Sequence, residues 1–275
     1  MRPATCAGQT EKLLVDIDFD RVIAIAEAGG ALAMRHWALG RKEANIWEKS
    51  PGQVVSDADL AVDRFLRGEL EKLVPTAGWL SEETHIDHSG AGDELTWVVD
   101  PIDGTRDYVA GKTGWCVSVA LVQNEAPVFG VLVAPAMKET WVGRAGQSAM
   151  VNGRALIATA RREYEGCRIP AESLPSEMKL VAVPKPNSIA LRMAMVADDR
   201  ADVVASTRWG HEWDIAAAHV IAAEAGASVT NALGETLVYN GTHGKALGVL
   251  CCSPNLYEEA VQRIGKYVTE NGASH

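Results

Sequence analysis

Apolar and polar positions in this 275-residue chain follow two different rhythms, and the change between them divides it. Over residues 20–39, Val22, Ile25, Ala26, Leu32, Ala33 and Trp37 recur near helical spacing, which predicts an amphipathic helix. Residues 56–73 read as a second helix, with Leu60, Val62, Phe65, Leu66, Leu70 and Leu73 as its buried face. Ser56 stands as its N-cap, Asp59 makes an acidic capping box three residues on, and Pro75 ends it. The pattern then shortens to strand length at 78–81, 95–100, 115–123, 127–134, 139–143 and 149–151. Asn124-Glu125, Pro135, Gly146 and Asn152-Gly153 punctuate these runs, the pattern of an antiparallel meander. Residues 85–94 hold two Gly, two His and three acidic residues and read as an exposed, mobile loop.

After about Ala158 the rhythm alternates. Strands are expected at 179–183, 202–205, 228–231 and 247–252, and helices at 188–197, 213–225 and 255–268, with Gly226 closing the second. Helices between short buried strands imply a layered α/β half. The expected division is an N-terminal α+β half, 1–157, and a C-terminal α/β half, 158–275, with the site between them.

Composition narrows the class. Hydrophobic residues at 47% and charged residues at 23% are ordinary for a globular protein. The apolar runs at 117–122 and 128–133 are too short to span a bilayer, and the charged N-terminus has no signal-peptide core. Five cysteines without a Cys-x-x-Cys pair argue against a disulfide framework or zinc site and fit a reducing cytoplasm. A net charge of −10, with no basic cluster beyond Arg161-Arg162, argues against polymeric nucleic acid as partner. Phosphate esters stay open, because bound cations can locally reverse the field.

The chemistry concentrates at Asp100-Pro101-Ile102-Asp103-Gly104-Thr105. A hydrophobic strand ends on Asp100, Pro101 stops the ladder, and a second carboxylate follows in a tight turn. Gly104 permits close backbone approach, and a helix starting at Thr105 would offer N–H groups to a phosphate. Glu82-Glu83 follows a buried strand directly, and Asp214 opens an otherwise apolar helix. Each alone has a plain reading: Asp214 as an N-cap, the others as turn residues. Together they are costly. Four carboxylates about 5 Å apart form six pairs of about 3 kcal/mol each, a sum that rivals folding stability. Such a cluster must protonate, spread apart or bind a hard cation such as Mg²⁺.

These motifs identify the chain as resembling the inositol monophosphatase superfamily over about residues 20–255. The hallmark Asp-Pro-Ile-Asp-Gly-Thr, the upstream Glu82-Glu83 and the downstream Trp213-Asp214 occur in the family's order and spacing. The resemblance implies a layered α-β-α-β-α sandwich of the inositol monophosphatase/fructose-1,6-bisphosphatase type. It implies two to three Mg²⁺ ions held by Glu82, Asp100, the Ile102 carbonyl, Asp103 and Asp214, with inhibition by Li⁺. Glu82 and one ion would activate the attacking water, and Thr105 would pass its proton towards Asp57, while the other ion would stabilise the leaving oxygen. Substrate contacts would come from Asp103, Gly104, Thr105, Lys49, Ser188, His211 and Asp214. Lys49 reads equally well as a surface lysine, His211 as a structural histidine and Asp57 as a helix-dipole partner.

Inositol monophosphatases carry an acidic residue seven positions before the Trp-Asp aspartate; here that residue is Thr207. Leu80-Ser81, Arg106 and Val133-Ala134-Pro135 look more like the CysQ-type 3′(2′),5′-bisphosphate nucleotidases. That branch implies 3′-phosphoadenosine 5′-phosphate as substrate, with Lys185, Arg192 or Arg208 meeting the second phosphate. Inositol 1-phosphate and histidinol phosphate are the alternatives. A catalytically idle interaction protein is the reading from another class, and the intact ligand set argues against it. No membrane partner is expected, and relatives are often homodimers.

Overall fold

The structure is a computed structural model that describes residues 17–38, 46–50, 53–84, 95–240 and 245–271. Helices α1 (Phe19–Ala38) and α2 (Asp57–Leu73) form where the periodicity places them. They cover one face of a seven-stranded sheet: β3 (Gly78–Ser81), β4 (Thr96–Asp103), β5 (Cys116–Gln123), β6 (Ala126–Ala134), β7 (Glu139–Arg144), β8 (Gln147–Val151) and β9 (Arg154–Ala155). Spatial order follows chain order. Trp97, Val99, Val117, Val119, Leu121 and Val131 face α1 and α2. Val98, Cys116, Ala120, Val122, Leu132 and Trp141 face the other way. With both faces covered, β4 and β5 are buried at every position, so their apolar stretches 97–99 and 119–122 run without polar alternation.

The second face meets α4 (Ile189–Ala197) and α5 (Glu212–Glu224). α5 lies between two sheets, so it is apolar nearly all round and rich in alanine. Close packing also explains two sheet glycines: a Cβ on Gly130 would come within 2.5 Å of the Ala217 carbonyl oxygen, and one on Gly143 within 2.7 Å of Ile221 Cα. Beyond α5 lies an antiparallel three-stranded sheet ordered β12 (Val203–His211), β14 (Lys245–Cys252), β13 (Ser228–Thr230). α6 (Tyr257–Asn271) closes the outer face over Val203, Leu250 and Cys252. The result is a five-layer α-β-α-β-α sandwich. Among the described residues, no helix is long and apolar enough to cross a membrane.

Several expectations change. β3 and β4 pair in parallel, so the first sheet is not a pure antiparallel meander. β4 does not stop at Pro101; it runs to Asp103 through a register shift between Asp100 and Asp103, which takes the proline out of the ladder. β12 extends six residues past the expected end at Ala205, to His211. A hairpin of β1 (Ile46–Ser50) and β2 (Gln53–Ser56) and a parallel pair of β10 (Arg168–Pro170) and β11 (Val181–Val183) were not legible. The loop expected at 85–94 lies outside the described residues. Cys251 and Cys252 are both buried but face opposite sides of β14, as adjacent strand residues must.

Candidate active site

A cavity of about 630 Å³ opens where β4, the loop before α4, β12 and the start of α5 meet. Glu82, Asp100, Asp103 and Asp214 line it together with Gly104, Thr105 and His211. A second set of lining residues is basic: Arg106, Lys185, Arg192 and Arg208.

Each acid comes from a different part of the fold. Glu82 follows β3, and its N–H donates to the Val99 carbonyl at 3.3 Å. That corner is anchored from α2, where buried Asp63 accepts from the hydroxyls of Ser81 and, at 3.2 Å, Thr84. Asp100 Oδ1 accepts from the Ile102 N–H at 2.9 Å, folding the side chain over Pro101. Asp103 Oδ2 accepts from the Ser188 hydroxyl at 2.5 Å and the Ala190 N–H at 2.9 Å, joining β4 to the first turn of α4. Asp214 is the third residue of α5, and its Oδ2 accepts from the His211 N–H at 3.2 Å. His211, not Asp214, is the N-cap.

The electrostatics follow from burial. Asp100 has its pKa pushed well above the carboxylate range, first by burial and then by the charges of Glu82, Asp103, Asp214 and Asp59. Burial also raises Asp103, although its bonds from Ser188 and Ala190 offset part of the rise. Asp214 is pushed up to about 7 by burial and by Asp103. The cluster therefore relieves its repulsion partly by higher proton affinity and partly by spacing. Among the described residues, no three His, Cys, Asp or Glu side chains form a ready-made metal cage. The donor set nonetheless suits a hard cation: all oxygen, acidic, and lining one cavity, with side-chain rotation needed to close around it.

Thr105 carries the sharpest correction. Its hydroxyl donates to the Ile102 carbonyl at 3.0 Å and stands 3.5 Å from Asp59 Oδ1. The other Asp59 oxygen accepts from the Ser56 N–H at 2.8 Å and the Ser56 hydroxyl at 2.6 Å. The aspartate facing Thr105 is thus Asp59, two residues beyond the expected Asp57, which is the first residue of α2. Burial, against the pull of Ser56, raises Asp59 to about 6. A correction on α2 explains it: the buried face is Ala58, Asp59, Val62, Asp63, Leu66 and Leu70, while Leu60, Phe65 and Leu73 are only part-buried. Two aspartates four apart on a buried helix face were the missed signal.

Two other expected residues, Ile102 and Ser188, stand apart from the lining. The Ile102 side chain is buried, and its carbonyl is engaged by Thr105. Ser188 is also buried, touching Asp103 and, at 3.5 Å, the Cys116 sulfur. Lys49 is on β1, and its side chain lies outside what is described. His211 stacks on Trp213 with ring centroids 4.2 Å apart.

A family model described as the inositol monophosphatase family matches residues 17–269. The chain is 30% identical over 256 residues to a fructose-1,6-bisphosphatase/inositol-1-monophosphatase of Thermotoga maritima, covering 88% of this chain and 94% of that protein. It is 28% identical over 224 residues to Nus factor SuhB of Xylella fastidiosa, covering 76% and 79%. A solved IMPase of Thermotoga maritima matches with a TM-score of 0.79 at 28% identity, over 92% of this chain and 98% of that one.

Proposed function

We propose a reaction for this chain on one premise: it belongs to the inositol monophosphatase family and is a phosphoric monoester hydrolase. The reaction is hydrolysis of a small phosphorylated metabolite by attack of water at phosphorus, with release of an alcohol. The observation that carries it is the convergence of Glu82, Asp100, Asp103 and Asp214 on one cavity beside Gly104 and Thr105. The family is generally Mg²⁺-dependent, and we assign the ions to Glu82, Asp100, the Ile102 carbonyl, Asp103 and Asp214. When bound, they supply a more acidic attacking water and positive charge for the phosphoryl and leaving oxygens.

The chain's own residues do the rest. The Thr105 hydroxyl orients the water and relays its proton to Asp59, whose raised pKa of about 6 suits a base working near neutrality. Gly104 sits at φ +94°, and a Cβ there would come within 2.7 Å of the Gly114 carbonyl oxygen. Only glycine turns the chain so tightly, presenting the Gly104 and Thr105 N–H groups to phosphoryl oxygens. Helix α3 (Thr105–Val109) has five residues and offers those donors more than a macrodipole. Ser188 acts by holding Asp103 rather than by touching substrate. Lys49 remains assigned to the product phosphate on resemblance alone.

For the substrate we propose a 3′(2′),5′-bisphosphate nucleotide, 3′-phosphoadenosine 5′-phosphate being converted to AMP. Support comes from Thr207 standing in place of an acid and from Lys185, Arg192 and Arg208 lining the same cavity, where a second phosphate would be met. The test is phosphate release in Mg²⁺ and in EDTA from this nucleotide, inositol 1-phosphate and histidinol phosphate. Magnesium-dependent, lithium-sensitive release with the highest kcat/KM on the nucleotide is expected. A higher kcat/KM on inositol 1-phosphate overturns the substrate assignment, and release undiminished in EDTA overturns the metal assignment.

A further inference from the structure

Trp209 stands out among the described tryptophans: Trp79, Trp97, Trp115, Trp141 and Trp213 are buried, whereas Trp209 is 46% exposed. Single exposed apolar residues are common and mean little by themselves. Ile157 and Val238, more exposed still, lie away from the cavity, but Trp209 lines it. The ring contacts among the described residues engage Trp37, Trp79, Trp115, Trp141 and Trp213 and leave this indole out.

Its position has a specific backbone cause. The register of β12 against β14 shifts between Ser206 and Trp209, so Thr207 and Arg208 leave the ladder. Opposite them, Gly248 has φ +61°, and any Cβ there would collide with the Ser206 carbonyl oxygen. The shift places Arg208 and Trp209 side by side in the wall of the cavity. Arg208 is near enough to Arg192 for its charge, after burial, to lower the Arg192 pKa. Among the described residues neither Arg208 nor Lys185 has a carboxylate partner. Two like charges converging on one space with an exposed indole form a surface that an anionic aromatic molecule would complete. The cavity, at about 630 Å³, is within the size range of small-molecule sites.

We infer that Trp209 is a specificity-determining platform on which a planar ring of the substrate stacks, beside the cations Arg208 and Lys185. The inference rests on the cavity being a phosphoester site and deepens the nucleotide reading by assigning the side chain that receives the aromatic ring. AMP and ribose 5-phosphate share a sugar phosphate and differ by the ring, so calorimetry of both in Mg²⁺ isolates stacking. The intact protein is expected to bind AMP about tenfold more tightly. Trp209→Ala should shrink that preference to about twofold or less, and Trp209→Phe should restore most of it. An intact protein without ring preference, or a Trp209→Ala variant that keeps it, overturns the platform. Loss of phosphate release from every ester with the AMP preference intact would sink the hydrolase reading alone. Magnesium-dependent release with a preference indifferent to Trp209 would sink the platform alone.

Discussion

Asp57 and Asp59 are two residues apart, and on a helix that separation turns side chains about 200° from one another. Only one can therefore face Thr105, and burial selects Asp59. Asp59→Asn should lower kcat by about 100- to 10,000-fold, the usual worth of a positioned base. Asp57→Asn should leave kcat close to that of the intact enzyme and cost about 0.5 kcal/mol of stability as a lost dipole partner. Reversed effects in steady-state kinetics would restore Asp57 to the role. Asp100 makes the complementary case, because its charge is opposed by burial and by four neighbouring carboxylates. Asp100→Asn should abolish turnover yet raise the melting temperature in EDTA, since the amide removes repulsion while keeping the shape. Calorimetric scans of the two proteins in EDTA check this, and a lower melting temperature in the variant would contradict it.

Among the elements, α5 is the most constrained: it carries Asp214, bears on the large sheet at Gly130 and Gly143, and supports the small sheet on its other side. Gly143→Ala should cost about 1–3 kcal/mol by overpacking and reduce kcat, because displacing α5 moves Asp214. Urea denaturation and phosphate release measure the two effects, and unchanged values in both would show that the helix can shift freely. The start of α4 is tied in a different way, through Ser188, which accepts from the Leu191 N–H at 2.9 Å while donating to Asp103. Helix periodicity predicted α4 and α5 without this dependence, since contacts between distant segments leave no local pattern. The role of Asp59 was hidden for the same reason: its spacing to Asp63 marks a shared helix face and a capping box explains it locally, but only Thr105 reveals its second partner.

At the scale of the whole molecule, the acidic centre makes stability depend on pH and on cations. Asp59 at about 6 and Asp214 at about 7 both lie above the ordinary value of 3.8, so folding takes up protons between about pH 4 and 7. A group that binds its proton more tightly when folded stabilises the fold at low pH, and that stability is lost as pH rises through the folded pKa. Asp202 works in the opposite sense, held down to about 2 by Arg168 and Thr159, but its loss of stability comes below this window. Burial pushes His219 down to about 4, which opposes the trend inside the window, but it is one group against the four raised aspartates Asp59, Asp100, Asp103 and Asp214. In EDTA the melting temperature should fall from pH 5 to pH 7.5, and Mg²⁺ should raise it more at the upper pH. A flat profile in EDTA, or equal stabilisation by Mg²⁺ at both values, would show that the cluster is not where the charge is stored. The sequence by itself determined the helices, most strands and the acidic motifs, because periodicity, capping and turn chemistry act between residues near in the chain. Tertiary structure decided which aspartate meets Thr105, that β4 passes through Pro101, and that Trp209 and four cations share a cavity with four acids. Those outcomes depend on burial and on contacts between residues up to a hundred or more positions apart, which no local pattern encodes.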